Sequence, residues 1–409
     1  MKSACLLVQN FYDFDVRVRR KAEALVGAGY SVDVLALRGS EQRKEYRLDG
    51  VQVYTISLGK LRGSLARYFF EYLAFFLWCF WFLMTRMPAK RYGIIDVNTL
   101  PDFLVFAAIP ARVMGAKVVL DMHEITPEFY MSKYGIGEDS WRIRLMKFLE
   151  RISFSFADHV IAINEPIQDL LAARGLHLPK SSVITNAAEE SRFISYLESA
   201  AAEEARDPAK FVMMYHGTLT KLYGLDLAIE AFALAQHEMP GAELWILGDG
   251  PETPQLKVLA QQRGLSSKVQ LVGIVSPAKI PGWLNKCDVG ILPIRRDVML
   301  EYASPNKLAE YIVMGKAVLI SNLKALRHYF SENALAYFDP DDVTDIAKQM
   351  VRLYRDRGLR QQLALRAKKE YMPVSWEVMR QRYLVAMDNL VVPAQCPVQE
   401  SRMRAGAKS

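Results

Sequence analysis

The segment Ser304–Tyr311, SPNKLAEY, combines residue types that suit a phosphate and an attached sugar. Pro305 stands where a helix begins, and the first N–H groups of a helix have no partner inside that helix. These N–H groups and the positive end of the helix dipole suit an anion such as phosphate. Glu310 lies about one turn further in, where its carboxylate can accept hydrogen bonds from sugar hydroxyl groups. The segment therefore predicts a site for a ligand that carries both groups.

Two glycine-containing segments follow short apolar runs elsewhere in the chain. Gly248–Gly250 follows the run ELWIL and precedes a helix, so its backbone could approach an anion closely. Gly217–Thr218 follows FVMMYH, and Lys221 nearby could neutralise a phosphate. The first segment is also a common type of turn, and the second also fits a strand end beside a solvated lysine. Both interpretations stay open at this point.

The elements that must position these segments follow from the hydrophobic periodicity. Short β-branched runs alternate with helical stretches, as in Ala4–Val8, Val16–Ala28 and Val32–Leu37. Such alternation predicts a parallel sheet that is covered by helices on both faces. Ligands bind at the carboxyl ends of the strands in such sheets, so the polar loops after each run are where chemistry is expected.

A change in composition divides the chain into two predicted domains. Residues 196–210 are rich in Ala and Glu, which is typical of a linker. A chain of 409 residues is also long enough for about two cores. We therefore predict two Rossmann-like, doubly wound α/β domains that face a central cleft. The predicted boundaries are 1–195 for an acceptor-binding domain, 196–210 for the linker, 211–374 for a donor-binding domain, 375–392 for a helix that returns to the first domain, and 393–409 for a flexible tail.

Composition excludes several classes of protein. Hydrophobic residues make up 51% of the chain and charged residues 24%, which does not fit a disordered or low-complexity protein. The net charge of +7 is compatible with an anionic partner. Nucleic acid is not predicted, because the basic residues are dispersed and lack an aromatic strand platform. The four cysteines show no CxxC spacing, which favours a reducing compartment over a disulfide framework or a zinc site.

One segment departs from the pattern of a soluble enzyme. Residues 68–84, YFFEYLAFFLWCFWFLM, are apolar except for one glutamate and have basic residues on both sides. This combination favours a helix at 65–86 that lies in the headgroup region of a membrane, with Phe75, Trp78 and Trp81 against lipid. A buried core helix and a membrane-spanning helix are the alternatives. We expect a cytoplasmic protein that is attached peripherally to the anionic cytoplasmic face of a membrane.

Taken together, these segments resemble the retaining GT-B glycosyltransferases, especially glycosyltransferase family four. The resemblance extends along nearly the whole chain. It is found in DVRVRRKAEALVGAGYSVDVLAL at 15–37, in DVNTLPD at 96–102, in LDMHEITPE at 120–128, and in the segment around Glu310.

The resemblance implies a role for each segment. In that family a glutamate at the position of Glu310 holds the nucleotide ribose, and a histidine at the position of His123 reaches the donor sugar. His123, Lys221 and Glu310 are therefore the predicted catalytic residues. The predicted donor-binding residues are Gly217, Thr218, Gly248, Asp249, Gly250, Ser304, Pro305, Asn306, Lys307 and Leu308. The predicted acceptor-side residues are Asn10, Arg17, Asn98 and Glu124.

The chain departs from the family pattern in three places. The family carries a second glutamate eight positions before the one at Glu310, where this chain has Tyr302. An arginine and a lysine that the family directs at the diphosphate are replaced by Thr218 and Tyr223. A pair of glycines after the first strand is replaced by Gln9–Asp13. Main-chain groups near Ser304, and the side chains of Lys221, Lys307 and Arg17, are expected to compensate.

Two Asp-x-Asp sequences, at 13–15 and 339–341, could indicate a metal-dependent transferase of another fold. Each lies directly before a predicted helix, so we interpret both as helix caps. No metal or other cofactor is predicted, because helix N-termini and cationic side chains can stabilise a departing diphosphate.

The predicted function is that of a retaining, metal-independent glycosyltransferase. Its donor would be a nucleotide-diphosphate sugar that carries a hexose or amino-hexose, and its acceptor a lipid-linked or polysaccharide-precursor glycan. Retention is implied by the resemblance alone. Two alternatives remain open at this stage, namely a sugar-nucleotide epimerase of the same fold and a non-catalytic sugar-nucleotide-binding partner in a polysaccharide pathway.

Overall fold

The computed structural model describes residues 2–39, 43–58, 65–199 and 210–391, with the backbone alone for residues 65–69. Most of the predicted linker at 196–210 and all of the predicted tail at 393–409 lie outside the described residues.

The described strands form two sheets. The first contains β1 (Ser3–Phe11), β2 (Ser31–Leu37), β3 (Glu45–Leu48), β4 (Val51–Ile56), β5 (Ile94–Asn98), β6 (Lys117–Met122), β7 (His159–Ala162) and β8 (Ser181–Val183), in the order β3-β4-β2-β1-β5-β6-β7-β8. The second contains β9 (Phe211–His216), β10 (Ala242–Leu247), β11 (Val269–Gly273), β12 (Val289–Leu292), β13 (Ala317–Ser321) and β14 (Ala336–Phe338), in the order β11-β10-β9-β12-β13-β14. Every pair in the second sheet is parallel. In the first sheet β4, β2, β1, β5 and β6 pair in parallel, while β3 is antiparallel to β4.

Helices alternate with the strands along both sheets, which confirms the predicted fold class of two doubly wound α/β domains. The helices are α1 (Val16–Gly27), α2 (Leu65–Lys90), α3 (Ile109–Val113), α4 (Thr126–Tyr134), α5 (Trp141–Phe156), α6 (Glu165–Ala173), α7 (Glu190–Leu197), α8 (Leu225–Ala235), α9 (Thr253–Gln262), α10 (Ile280–Lys286), α11 (Asn306–Val313), α12 (Lys324–Tyr329), α13 (Val343–Arg355), α14 (Arg357–Tyr371) and α15 (Trp376–Val391).

Aspartates cap the helices that follow the two Asp-x-Asp sequences. The side chain of Asp15 accepts a hydrogen bond from the N–H of Val18 in the first turn of α1. Asp342 accepts hydrogen bonds from two N–H groups at the start of α13, and its neighbour Asp341 pairs with Arg295. The first Asp-x-Asp sequence is therefore confirmed as a helix cap through Asp15. The second leads into a capped helix as expected, but the cap is the next residue, Asp342. Among the described residues, no group of three or more His, Cys, Asp or Glu side chains is placed to hold a metal ion.

Two local features differ from the sequence-based expectation. The hairpin of β3 and β4 was not predicted, although its turn at Asp49–Gly50, with φ of 48° and 82°, has a typical hairpin sequence. The hydrophobic pattern of Asp102–Met114 predicts one helix. The stretch instead forms a 3-10 helix over Asp102–Ala108 followed by α3, because Pro110 fits only the first turn of an α-helix.

The chain separates into two compact units. Unit one comprises Met1–Asp121, Ser155–Val160 and Gln381–Ser409, and unit two comprises Met122–Phe154 and Ile161–Arg380. The whole second sheet therefore belongs to unit two.

Helix α2 packs one of its faces into the core of unit one. Phe75, Cys79, Leu83 and Met87 recur every four residues and are buried, at 0 to 3% exposure. They face β1, α3 and the 3-10 helix at 102–108. The prediction that Phe75 contacts lipid is therefore wrong. The prediction failed because the segment is apolar on all sides. Hydrophobic periodicity therefore could not show which face would pack against the rest of unit one.

The opposite face of α2 is exposed. Phe70, Leu77, Trp81 and Met84 are 43 to 66% exposed and lie along one side of the helix. Trp78 lies between the two faces and is half-buried. Phe70–Lys90 is also long and apolar enough to cross a membrane. The core helices of soluble proteins can have the same length and composition.

Unit one contains a buried charged cluster that the sequence did not reveal. Lys21 is 1% exposed, and its Nζ donates to Asn98 Oδ1 at 2.6 Å and to Asp96 Oδ2 at 3.1 Å, as well as to Asp121. Tyr383 of α15 donates its hydroxyl to the same Asp96 oxygen at 2.7 Å. These contacts tie α1, β5, β6 and the end of α15 together within unit one.

Candidate functional site

Unit two contains a cavity of about 560 Å³, which is within the range of small-molecule sites. It is lined by residues that follow β6, β7, β8, β9 and β12, as expected for a parallel sheet, and by the start of α11. The lining residues are His123, Glu124, Ile125, Ile163, Ile167, Asn186, His216, Tyr223, Ile294, Met299, Leu300, Tyr302, Ala303, Ser304, Pro305, Asn306, Lys307 and Glu310. Seven of the predicted site residues are thus brought together, namely His123, Glu124, Ser304, Pro305, Asn306, Lys307 and Glu310.

Packing of α11 fixes which of its residues line the cavity. Leu308 and Tyr311 are buried on one side, whereas Lys307 and Glu310, three residues apart, share the cavity side. The Tyr311 hydroxyl donates to the Met214 carbonyl at 2.6 Å. Its ring lies against Gly290, where a Cβ atom would come within 2.6 Å of the ring. Tyr311 therefore holds the helix at a fixed position above the second sheet.

Lys307 places a positive charge in the cavity wall. Its Nζ lies 4.3 Å from the ring centroid of Tyr223 and 5.2 Å from that of Tyr215. Burial lowers the pKa of Lys307 to about 8, although the nearby Glu310 carboxylate favours the protonated form. A partly desolvated ammonium group held by two aromatic faces is suited to bind an anion that enters the cavity.

His216 and Glu310 form a second pair in the cavity wall. The Nε2 of His216 lies 3.4 Å from Glu310 Oε2. Burial, followed by the charges of Lys307 and Arg192, lowers the pKa of His216 to about 3, so the imidazole is neutral near pH 7. Within the described part of the chain, this buried Nε2 makes no hydrogen bond. A hydroxyl group of a ligand could supply that partner.

The segment after β6 contributes His123 and Glu124 to the same cavity. Burial raises the pKa of Glu124, opposed by the charge of Lys133. Four residues after Glu124, in the first turn of α4, Glu128 is held by Arg174, which also contacts the buried Glu150 at 3.3 Å. This ion-pair group anchors α4 within unit two and so positions the residues before it.

A smaller cavity of about 350 Å³ lies beyond His216, which lines both cavities. The smaller cavity contains four predicted donor-binding residues, Gly217, Thr218, Gly248 and Asp249. Its remaining lining residues are Leu247, Ile274, Val275 and Ile280. Gly250, which is also a predicted donor-binding residue, lines neither cavity. A Cβ atom on Gly250 would lie 2.2 Å from the Leu219 carbonyl oxygen, so its role is close backbone packing.

Gly217 is required by the position of Lys307. Its φ of +132° is unfavourable for any residue with a side chain. A Cβ atom there would also lie 2.1 Å from the Cε atom of Lys307. The glycine therefore makes the space in which the lysine side chain crosses the end of β9.

Two family models match the chain. The model described as Glycosyl transferase 4-like domain matches residues 15–187, and the one described as Glycosyl transferases group 1 matches residues 210–356. Together they account for most of the sequence, including both cavities' lining residues.

The chain belongs to the glycosyltransferases.

Known relatives agree with this assignment. The chain is 22% identical over 303 residues to alpha-D-kanosaminyltransferase of Streptomyces kanamyceticus, covering 69% of this chain and 74% of that protein. Sucrose-phosphate synthase from Thermosynechococcus elongatus has a similar structure, with a TM-score of 0.75 at 16% identity over 95% of this chain and 99% of that one. The complex of Anabaena HepE with UDP-glucose gives a TM-score of 0.68 at 14% identity over 95% and 100% of the two chains. The fold of this glycosyltransferase is therefore GT-B.

Besides Gly250, two predicted residues in unit two of the glycosyltransferase lie apart from the cavities. Lys221 is exposed on a short 3-10 helix, Lys221–Tyr223, and lines neither cavity. Leu308 is buried on the core side of α11. Of the two predicted lysines, Lys221 and Lys307, the latter is therefore the one that lines the larger cavity.

The predicted acceptor-side residues in unit one are engaged in contacts within that unit. Asn10 donates to Asp15 at 2.9 Å, and Arg17 donates to Asp121 at 2.6 Å. Asn98 is 1% exposed and belongs to the buried cluster around Lys21. Only Glu124 of this group lines a described cavity, and it lies in unit two.

Several residues of the glycosyltransferase site were missed from the sequence. Asn164 donates to the Tyr302 carbonyl at 2.9 Å and to Ser304 Oγ at 3.1 Å, and so holds the loop before α11. Tyr215, Tyr223 and His216 surround Lys307 and Glu310. Asn164 and His216 could have been found by their positions at the ends of predicted strands. Tyr223 was marked only as the residue in place of a family lysine, and nothing in the sequence marks Tyr215.

Proposed function

We propose that this glycosyltransferase is a retaining enzyme of the family four type that transfers a hexose or amino-hexose from a nucleotide-diphosphate sugar. The observation that carries the proposal is that Lys307, Glu310 and the start of α11 line one cavity. These groups suit two parts that all such donors share, namely the diphosphate and the ribose. The UDP-glucose complex of the structurally similar Anabaena HepE supports a donor of this class.

The diphosphate would bind between Lys307 and the first turn of α11. Pro305 caps that helix with no side-chain acceptor, which leaves its first N–H groups available for phosphate oxygens. Negative charge builds on the departing diphosphate in the transition state, so fixed positive groups at this point accelerate the reaction. The geometry favours Lys307 over the exposed Lys221 as the cation in this role.

The ribose would be held by Glu310. Its carboxylate lines the cavity three residues after Lys307, and the neutral His216 lies beside it. A carboxylate can accept hydrogen bonds from both ribose hydroxyls, and His216 Nε2 can exchange a further hydrogen bond with the ligand. The smaller cavity, with Gly217, Gly248 and Asp249 in its wall, would then receive the base.

The hexose would lie toward His123 and Glu124, which line the same cavity. His123 would orient the sugar near the carbon at which transfer occurs, as a histidine at this position does in the family that the chain resembles. Retention is part of this proposal through the family resemblance alone. Metal independence is part of it because a lysine and a helix N-terminus together supply the positive charge that the leaving group needs.

The acceptor is proposed to be lipid-linked or a polysaccharide precursor, bound by unit one at the cytoplasmic face of a membrane. The support is the exposed face of α2, where Phe70, Leu77, Trp81 and Met84 form an apolar stripe. Such a stripe fits the interface between headgroups and acyl chains, where tryptophan is favoured. Residues 1–195 and 211–374 remain our proposed boundaries for the acceptor and donor domains.

The test is sugar transfer by the purified chain with UDP-, GDP-, ADP- and dTDP-sugars and a bacterial lipid extract, followed by NMR. We expect one donor class to be consumed and a glycolipid with the donor's own anomeric configuration to form. A product of inverted configuration would refute retention. Donor that is epimerised without any acceptor would show that the enzyme is an isomerase instead.

Glu310→Ala and Lys307→Ala should each lower this transfer by about a hundredfold. Lys348→Ala, which removes an exposed lysine of α13 outside both cavity walls, is the matched control and should leave the rate unchanged. Equal rates for all four proteins would refute the proposed site while leaving the enzyme class intact.

A further inference from the structure

Helix α5 in unit two carries an exposed apolar stripe that the donor site does not use. Trp141, Leu145 and Phe148 are 69%, 46% and 58% exposed. At 100° per residue, they lie within a narrow arc on one side of the helix. Large exposed side chains in a continuous stripe indicate a contact surface rather than isolated surface residues.

The other side of α5 is firmly held within unit two. Ile143 and Glu150 are both 0% exposed, and Glu150 contacts Arg174 at 3.3 Å. Ser153 is also fully buried. The helix therefore presents its apolar stripe outward without any rearrangement of the fold.

Cations border the stripe on both sides. Arg142 lies on one edge, and Arg144 and Arg151 lie on the other, all with exposed side chains. The only carboxylate on the helix itself is the buried Glu150. The exposed Glu138, which precedes the helix, pairs with Lys147 at 2.6 Å, so Arg142, Arg144 and Arg151 give the borders of the stripe their positive charge. An apolar stripe with tryptophan and phenylalanine between arginines is the pattern of a helix that lies in a membrane interface.

We propose that α5 is a second lipid-contact surface, which rests on anionic phospholipid headgroups with Trp141, Leu145 and Phe148 inserted among them. This inference rests on the proposed membrane location and adds unit two to it. A second copy of the chain is the less suitable occupant, because the arginines of two facing copies would repel one another. Such contact would keep unit two, which contains the cavity of the proposed donor site, at the membrane surface where the acceptor is found.

The test is flotation of the full-length protein with vesicles of phosphatidylcholine alone or mixed with phosphatidylglycerol. Trp141→Ser/Phe148→Asp and Arg142→Glu/Arg144→Glu should each reduce binding to the anionic vesicles by at least about tenfold. Leu365→Asp is the matched control, because Leu365 is a 72% exposed apolar residue on α14 of the same unit. It should bind as the wild type does.

The same proteins distinguish the possible failures. Wild-type protein that does not bind anionic vesicles would refute the proposed membrane location together with this inference. Loss of binding on Leu77→Asp/Trp81→Asp, with full binding by both α5 variants, would refute the α5 surface alone. A dimer that the α5 variants abolish in sedimentation velocity, with vesicle binding unchanged, would identify α5 as a contact between copies and overturn the proposal.

A fluorescent label on α5 reports directly whether this helix enters the lipid. Cys5, Cys79 and Cys287 are buried, so a single label can be attached at Phe148→Cys in a Cys396→Ser background. Its emission should shift to the blue on anionic vesicles, whereas the same label at Leu365→Cys should not respond. No shift at position 148 in a protein that floats with the vesicles would overturn the inference.

Discussion

The Nζ of Lys307 lies 4.3 Å from the centre of the Tyr223 ring, at the edge of the larger cavity in unit two. This contact joins the first turn of α11 to the loop after β9, two segments that are about eighty residues apart in sequence. Lys307 lines this cavity, whereas Lys221 in the same loop is exposed and lines neither cavity.

Replacement of Lys307 should therefore affect turnover far more than replacement of Lys221. We expect Lys307→Met to lower kcat/KM for the donor by about a hundredfold, which corresponds to about 3 kcal/mol of lost transition-state stabilisation. Lys221→Met should lower it by less than about threefold. Steady-state kinetics on the two variants measure this difference. A larger loss of kcat/KM in Lys221→Met than in Lys307→Met would show that the diphosphate binds on the other side of the loop.

Donor binding should weaken at alkaline pH through Lys307. Its pKa in the ligand-free protein is lowered by burial to about 8, and only the protonated amine attracts the diphosphate. Affinity should be constant below about pH 8 and then fall by up to tenfold per pH unit as the amine loses its proton. Calorimetry with the nucleoside diphosphate in two buffers of different ionisation enthalpy should detect proton uptake on binding above that pH. Lys307→Arg should remove this pH dependence; an unchanged profile in that variant would exclude Lys307 as its origin.

Glu310 should be specific for the ribose hydroxyls. Glu310→Gln removes the carboxylate charge, and a hydrogen bond to a charged group contributes about 1.5–3 kcal/mol. We expect at least a tenfold loss of affinity for the nucleoside diphosphate but no loss for its dideoxyribose analogue. Glu332→Gln, at an exposed ion pair with Arg327, serves as the control. Equal losses for both nucleotides would mean that Glu310 does not contact the ribose.

Gly217 should be needed for donor binding as well as for backbone conformation. In Gly217→Ala the new Cβ would displace the Lys307 side chain, which passes 2.1 Å from that position. Gly264 also has a positive φ, of 69°, but a Cβ there meets nothing within 4 Å. Both alanine variants should lose about 1 kcal/mol of unfolding free energy. Only Gly217→Ala should also lose donor affinity, by about tenfold. Thermal unfolding with and without nucleotide measures both effects.

The two faces of α2 should respond in opposite ways to a charge. Phe75→Asp places a carboxylate in the core of unit one and should cost at least about 4 kcal/mol, so that little folded protein is recovered. Trp81→Asp and Leu77→Asp lie on the exposed face and should change stability by less than about 0.5 kcal/mol. Denaturant titration measures stability, and flotation of the two exposed variants should show reduced vesicle binding. A stable Phe75→Asp protein would contradict the described packing of α2.

Local sequence signals predicted the start of α11 because they act within one segment. Pro305 fixes the start of the helix, and Lys307 and Glu310 share a face through their three-residue spacing alone. Strand and helix alternation was sufficient for the fold class for the same reason, since each element carries its own periodicity. These features needed no knowledge of what packs against them.

The remaining site features depend on packing between distant segments. The environment of Lys307 is set by Tyr215, Tyr223 and the absent side chain of Gly217, none of which lies near it in sequence. The buried cluster around Lys21 likewise joins residues from four elements. Helix α2 is apolar on every side, so its sequence does not show that Phe75 is covered and Trp81 is exposed. That difference depends on the elements of unit one that pack against the helix.

A crystal structure of the protein with its nucleotide-diphosphate sugar tests the central claim most directly. The account predicts diphosphate oxygens within about 3 Å of Lys307 Nζ and of the first N–H groups of α11, with the ribose hydroxyls on Glu310. A diphosphate bound to Lys221, or a donor outside the cavity that His123, Lys307 and Glu310 line, would contradict it.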